Sequence, residues 1–290
     1  MKIAILSRQP DLYSNHRLIA ASVARGWQAV IIDPLYGWPA AGLENGIEPD
    51  IPPLYDGIEA VIPRYGPYWQ RQAHGLLKRL QCLGVRSLND ADAIALARDT
   101  PACLQTFAGS GLPFPKSISV PTGPLHPDWL DRLPFGFPLL LKRQYSSQGL
   151  GVELHRDGAE LSRRAQMLID QQEPFLLQEF IAEAQGSDLR LLVAGGRVIA
   201  AMQRTAQPGE FRANVHLGGT AKALAVSPEI AGLAVNAARA VGLQAGGVDI
   251  IRSAGGPLLL EINTCPGFEA LERVSGVDVA GKLLDLLDPG

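Results

Sequence analysis

Between Gly246 and Gly267 the sequence GGVDIIRSAGGPLLLEINTCPG leaves little choice of local structure. Two apolar runs rich in Val, Ile and Leu flank Ser253-Ala254-Gly255-Gly256-Pro257, a cluster that cannot continue a strand, so the pattern predicts a β-hairpin. Folding the hairpin about Gly255 sets Asp249 opposite Glu261, each six residues from the tip. Side chains alternate along a strand, which puts Glu261 and Asn263 on one face and Leu260 and Ile262 on the other. Directly opposed residues bring their Cβ atoms to roughly 4.5–5.5 Å. Two carboxylates that close repel unless a cation lies between them. A solvated polar face would explain polar side chains there, but not two opposed acids with no compensating Lys or Arg. Asp249, Glu261 and Asn263 offer only oxygen ligands, the set that suits Mg²⁺ or Mn²⁺ and not zinc. A slip of one residue in register would undo the pairing.

The chain has 290 residues, enough for two or three packed units with a well-buried core. Hydrophobic residues at 47% and charged residues at 19% describe a folded protein, not a disordered one. A net charge of −3 gives no electrostatic footprint for direct nucleic-acid binding. Cys82, Cys103 and Cys265 are odd in number and far apart, so neither a disulfide framework nor a zinc spacing is present. Reduced thiols in a cytoplasmic protein are the simplest reading. MKIAILSRQP has too short an apolar run for a signal peptide, and no segment reaches the length of a membrane span.

Residues 1–95 alternate strand and helix signals: strands at Ile3–Leu6, 29–32 and 60–62, a helix over 14–25 stopped by Gly26, and a longer one over 69–83. This alternation predicts a small parallel sheet with helices on its faces. Pro34 to Pro53 reads as a loop, and no GxGxxG or GxxxxGK[ST] opens any helix. The unit is therefore expected to supply part of a substrate cleft. Over 96–176 a helix from Asp99 to Ala108, strands at 138–142 and 152–155, and a Ser/Gly-rich loop from Gln144 to Gly151 are expected. Lys142 at a strand end before such a loop suits a polyphosphate cover, although a Lys on an exposed hairpin is the commoner case. The last unit, 177–290, is expected to open on a strand at 176–181 carrying Gln178 and Glu179. It contains a hairpin about Ala194-Gly195-Gly196, the polar loop 208–219, a helix opened by Ser227-Pro228-Glu229 and stopped by Gly242, the acidic hairpin, and a helix over 277–287. Mixed hairpins and helices indicate an α+β unit.

The order of these motifs closely resembles the ATP-grasp carboxylate–amine ligases, and within them the RimK branch, whose founding member adds glutamate to the C-terminus of a small-subunit ribosomal protein. The resemblance rests on Lys142 with SSQGLGV, QEFI at 178–181, GSDLR at 186–190, GEFRANVHLGG at 209–219, GGVDII at 246–251 and LEINTCPG at 260–267. It extends to LYS at 12–14, AVIPR at 60–64 and GVDVAGK at 276–282. It implies an ATP-grasp fold, α/β and α+β, with a small parallel-sheet pre-ATP-grasp domain (1–95) and two lobes holding ATP between them (96–176 and 177–290). It further implies that Lys142 contacts phosphate, that the Gln178, Glu179, Phe180 and Ile181 linker meets adenine, and that Asp188 binds ribose. Arg212, Ala213 and Asn214 would reach the phosphates or an acyl phosphate. Asp249, Glu261 and Asn263 would hold Mg²⁺ or Mn²⁺, and Arg204 with the Pro266-Gly267 turn would lie near the acceptor. Arg204, Arg212 and Asn214 are the residues it places nearest the chemistry.

The implied partners are ATP, L-glutamate or a related amino acid, and a protein, peptide or small-molecule acceptor; dimers or tetramers are the family's tendency. A lid such as Tyr145 to Gly151 would exclude water. Cys265 reads as a packing residue, and His216 as a phosphate contact or a loop strut. One departure stands out: where the family carries a second nucleotide-contacting lysine, this chain has Thr100, so either Arg98 or Lys116 would supply the charge or nucleotide affinity would be lower. Rival readings are glutamylation of a ribosomal protein, ligation to an amino-group carrier protein, glutamylation of a coenzyme, and a nucleotide-binding protein without turnover.

Overall fold

The computed structural model describes residues 1–36, 55–66, 69–120, 122–144, 151–214 and 218–288. Its N-terminal sheet is parallel, in the order β2-β1-β3-β4, with β1 (Lys2–Leu6), β2 (Gln28–Ile32), β3 (Ala60–Pro63) and β4 (Arg86–Ser87). Helix α1 (Tyr13–Ala24) ends at Gly26, whose φ of +71° suits a residue without a Cβ. Helix α2 (Gln70–Cys82) buries Ala73, Leu76, Leu77 and Leu80, one apolar stripe at helical spacing. The expected parallel α/β unit is present. Most of the 34–53 loop lies outside the described residues.

Helix α3 (Ala91–Arg98), absent from the sequence expectation, is capped by Asp90, and α4 (Thr100–Gly109) by Asp99, which accepts from the Ala102 N–H. A four-stranded antiparallel sheet follows, ordered β5-β8-β6-β7: β5 (Ser117–Val120), β6 (Leu139–Arg143), β7 (Val152–His155) and β8 (Phe175–Glu179), backed by α5 (Gly158–Asp170). The strand expected at 176–181 is thus β8, hydrogen-bonded to β5 and β6 inside this central sheet.

The C-terminal sheet has five strands, β11-β10-β9-β12-β13: β9 (Ser187–Ala194), β10 (Arg197–Thr205), β11 (Thr220–Ala223), β12 (Ala245–Ser253) and β13 (Gly256–Asn263). One face, with Leu189, Leu191, Val193, Val248, Ile250, Leu259 and Ile262, packs under α6 (Pro228–Ala240). On the other, Leu192, Ala194, Ala200, Met202 and Ala245 share a core with α7 (Glu269–Ser275), α8 (Val279–Leu284) and Ile3 and Ile5 of the N-terminal sheet. A fully buried Leu or Ile contributes about 1.5–3 kcal/mol, so this shared core ties the first and last units together.

Asp249 does pair with Glu261, but not by the expected route. The turn is tighter, Ser253 opposing Gly256, and the register shifts by one residue between Asp249 and Ile250, which pairs with Leu259. Leu260 is the extra residue of this bulge. Leu259 and Ile262, not Leu260, therefore face the core.

Candidate active site

Register across four neighbouring strands sets the charged residues in one row. Asp188 and Arg190 lie two apart on β9 and so share a face. Arg204 on β10 pairs with Asp188, while Asp249 on β12 pairs with Arg190 on one side and Glu261 of β13 on the other. The Arg204 guanidinium, only 3% exposed, donates from Nε and Nη2 to the two oxygens of Asp188 (2.7 and 2.6 Å) and from Nη2 to Asp249 Oδ2 (2.8 Å). Arg190 donates to Asp249 in the same forked way, Nε to Oδ1 at 2.7 Å and Nη2 to Oδ2 at 2.6 Å, and its Nη2 is 3.6 Å from Glu261 Oε1. Such bidentate pairs are the strong class of hydrogen bond. Asn263 Nδ2 closes the row with a bond to Glu261 Oε1 (2.9 Å).

The two opposed acids therefore do have a compensating cation. Arg190, a member of this candidate site that the sequence reading did not single out, comes from β9, with GSDLR placing it on the Asp188 face as the one available signal. Burial alone would raise the Asp249 carboxyl, but Arg190 and Arg204 overcome it and hold the group well below the usual carboxylate range. Glu261 goes the other way: enclosure in the cleft and the charge of Asp249 push it up, with Arg190 opposing. Since 57% of the Glu261 side chain reaches solvent, screening blunts that repulsion. Burial pushes Asp188 up against the pull of Arg204.

Lys142 reaches this row from the facing central sheet, at the end of β6. Burial pushes its ammonium down, and the charges of Glu261 and Asp249 oppose that shift. The cleft between the two sheets thus carries a lysine on one wall and an acid–arginine row on the other. A hard divalent cation fits the second wall. Asp249 and Glu261 approach closely enough to interact directly, and Asn263 commits its Nδ2 to Glu261, leaving Oδ1 as its ligand atom. Asp249 uses three of about four acceptor positions on the arginines, so a cation would share it with them. Among the described residues no three His, Cys, Asp or Glu side chains could hold a metal, so the amide is needed as the third ligand.

The linker after β8 carries the other candidates. Gln178 is buried and donates from Nε2 to Ser117 Oγ (2.9 Å), and its Oε1 has no protein partner. Glu179 exchanges backbone and side-chain bonds with Lys116. The Phe180 ring meets Phe211 edge-on at 6.0 Å, and Ile181 is buried. Glu210 grips Arg212 through Nε and Nη2 (3.1 and 2.7 Å) and is itself held down to about 2 by that guanidinium. Ala213 is buried, and the Asn214 carbonyl accepts from the Gly219 N–H. A Cβ on Gly219 would lie 2.9–3.1 Å from the carbonyls of Ala213, Thr205 and Asn214, so only glycine lets this loop fold against the end of β10. On Gly247 it would strike Pro266 at 2.9 Å, which fixes the 264–267 turn against β12. Arg98 is committed to Tyr65 O and Thr264 Oγ1 and does not fill the place of the missing lysine. His216 and the 145–150 part of the lid lie outside the described residues.

Two antiparallel sheets clasping a cleft, joined to a parallel-sheet unit, define an ATP-grasp protein. The fold matches a RimK domain ATP-grasp protein from Sphaerobacter thermophilus (TM-score 0.75, 24% identity, 99% of both chains). It also matches the ATP-grasp ligase PsnB in complex with a phosphomimetic variant of a minimal precursor, Mg and ADP (TM-score 0.69, 23% identity, 99% of this chain and 97% of that one). Residues 97–287 match the RimK-like ATP-grasp domain and residues 1–94 the RimK pre-ATP-grasp domain. A probable alpha-L-glutamate ligase of Aeromonas salmonicida is 40% identical over 99% of this chain and 96% of its own length. The chain belongs to the RimK-like ATP-grasp family, and its activity is that of an ATP-dependent ligase.

Proposed function

We propose that the protein joins L-glutamate, or a related amino acid, through an amide bond to a protein, peptide or small-molecule acceptor. The observation that carries this reading is the acid–arginine row facing Lys142 across the cleft, in a chain 40% identical to a probable alpha-L-glutamate ligase. An acceptor carboxylate attacks the γ-phosphorus of ATP, ADP leaves, and the amine of the incoming amino acid then displaces phosphate from the acyl phosphate. Carboxylate and triphosphate repel each other, so the reaction needs fixed positive charge before it needs anything else. Lys142 supplies it from the end of β6, oriented before substrate arrives, while Arg190 and Arg204 hold the acids of the facing row in place. Asp249, Glu261 and Asn263 would hold Mg²⁺ or Mn²⁺, which supplies neutralisation of phosphate oxygens when bound. Asp188 keeps Arg204 in place, and the Phe180 backbone, just past the end of β8, is offered to adenine while the Ile181 carbonyl accepts from the Ala184 N–H.

The reading takes 1–95 as the domain forming the acceptor side of the cleft, and 96–176 and 177–290 as the lobes, with β8 carrying the join. It places the protein in the cytoplasm, consistent with the absence of any helix long and apolar enough to cross a membrane among the described residues. ADP release measured over a panel of amino acids and acceptors tests it. One pair should stimulate release, and Asp249→Asn should cut that rate by about 10²–10³. No stimulation by any pair would sink the proposal.

A further inference from the structure

Two arginines outside the acid–arginine row face a different situation. Arg64, just after β3, donates from Nη1 to Pro266 O (3.1 Å) and from Nη2 to Ser14 Oγ (2.7 Å), and its guanidinium lies 5.7 Å from the Phe268 ring. Arg98, at the end of α3, donates from Nε to Thr264 Oγ1 (3.0 Å) and from Nη2 to Tyr65 O (2.5 Å) and Cys265 Sγ (3.4 Å). Its guanidinium stacks 4.8 Å over the Tyr65 ring. Arg64 Nε and Arg98 Nη1 are both buried with no hydrogen-bond partner in the protein. Among the described residues neither guanidinium has a carboxylate within ion-pair distance, whereas Arg190 and Arg204 have two each.

A third source of positive potential adds to them. Helix α1 starts at Tyr13 with no side-chain cap and no acid in its first turn, and Arg64 donates to Ser14 at that end. The helix dipole leaves partial positive charge there. Two cations and an uncapped helix end thus converge on residues 264–266, immediately after Asn263. Burying charge without an opposite charge is costly unless an anion completes the site.

We propose that Arg64 and Arg98 form a carboxylate-binding subsite for the amine substrate, holding a carboxylate that does not react. The inference rests on the ligase reading above. The reacting carboxylate loses its charge on becoming an acyl phosphate, so guanidiniums that gripped it would stabilise the ground state more than the transition state. A spectator carboxylate keeps its charge throughout and can be held at full strength while the amine is aimed. The subsite therefore selects an amino acid through its own carboxylates.

The test compares L-glutamate, L-glutamine and glutamate α-amide as amine substrates. In ADP release at saturating ATP, at least one amide should be poorer than L-glutamate by about ten- to a hundredfold in KM, the value of a charge-assisted pair. Arg64→Gln and Arg98→Gln should each raise the KM for L-glutamate by a similar factor, leave the KM for ATP unchanged, and erase the preference for acid over amide. Loss of turnover that falls equally on acid and amides, or that appears in the KM for ATP, would overturn the subsite. Calorimetry on the unmodified protein, with a non-hydrolysable ATP analogue and the same three compounds, decides the matter if a variant fails to fold. Equal affinity for all three would overturn the subsite. Absence of ADP release with every pair would instead sink the ligase reading, and the calorimetric preference would still judge the subsite.

Discussion

The molecule holds two pairs of arginines in opposite electrostatic conditions. Arg190 and Arg204 sit inside the C-terminal sheet, where Asp188, Asp249 and Glu261 answer them. Arg64 and Arg98 lie between the N-terminal unit and the 264–267 turn, where, among the described residues, only carbonyls, two hydroxyls, a thiol and aromatic faces do. In the first pair the charge is balanced by the fold, so strand register alone orients the side chains. In the second the balance is left open, and a ligand would have to complete it. A buried ion pair adds little net stability but is costly to break, because the survivor stays buried and unpaired. That asymmetry makes the two pairs separable by mutation.

Arg204→Met gives the largest expected effect. It leaves Asp188 without its fork and removes one donor from Asp249, both buried, and should destabilise the protein by about 3–5 kcal/mol in urea unfolding. Adding Asp188→Leu should restore a large part of the loss. A cost below about 1 kcal/mol for the single variant would show that the row is not held by its charges.

Arg64→Met sharpens the contrast. It removes two hydrogen bonds to neutral acceptors and abandons no carboxylate, so unfolding should register only about 1–2 kcal/mol. A loss as large as that of Arg204→Met would mean that Arg64 has a charged partner after all, and the comparison would fail.

The same contrast divides what the sequence disclosed from what it did not. The N-terminal α/β unit was readable because its signals are local: apolar runs, helical spacing, and a glycine such as Gly26 at a left-handed stop. The Asp249–Glu261 pairing was readable too, but through two offsetting departures, since the turn is shorter by one residue and the bulge at Leu260 restores it. Arg190 escaped notice because it meets Asp249 from 59 residues away, and no periodicity reports which strands become neighbours. β8 joined the central sheet for the same reason, its partners β5 and β6 being fixed by tertiary pairing. Helices α3 and α7 are too short for a strong apolar stripe, with eight and seven residues. Motif order nominated the candidate site residues, but only the fold could show that Arg98 is tied to Tyr65 and Thr264, away from the role of the missing lysine.

The smallest expected effect concerns Glu210, which grips Arg212 beside the cleft and so resembles the balanced pair, but near the surface. Its carboxyl is held at about 2, against an ordinary value of 4.5, first by the Arg212 guanidinium, against some burial, and then by backbone N–H groups of Arg212 and Phe211. A folded-state value below the unfolded one stabilises the protein above the unfolded value and is lost as pH falls through the folded value. The contribution should therefore be complete above about pH 4.5 and vanish between there and about pH 2. Solvent reaches 27% of each side chain, so screening leaves at most about 1 kcal/mol of it. Melting temperature followed across that window should fall less steeply for Glu210→Gln than for the unmodified protein, with the two curves converging at the acid end. Parallel curves would show that the Glu210–Arg212 contact stores no stability, and would confine the balanced-charge argument to the buried row.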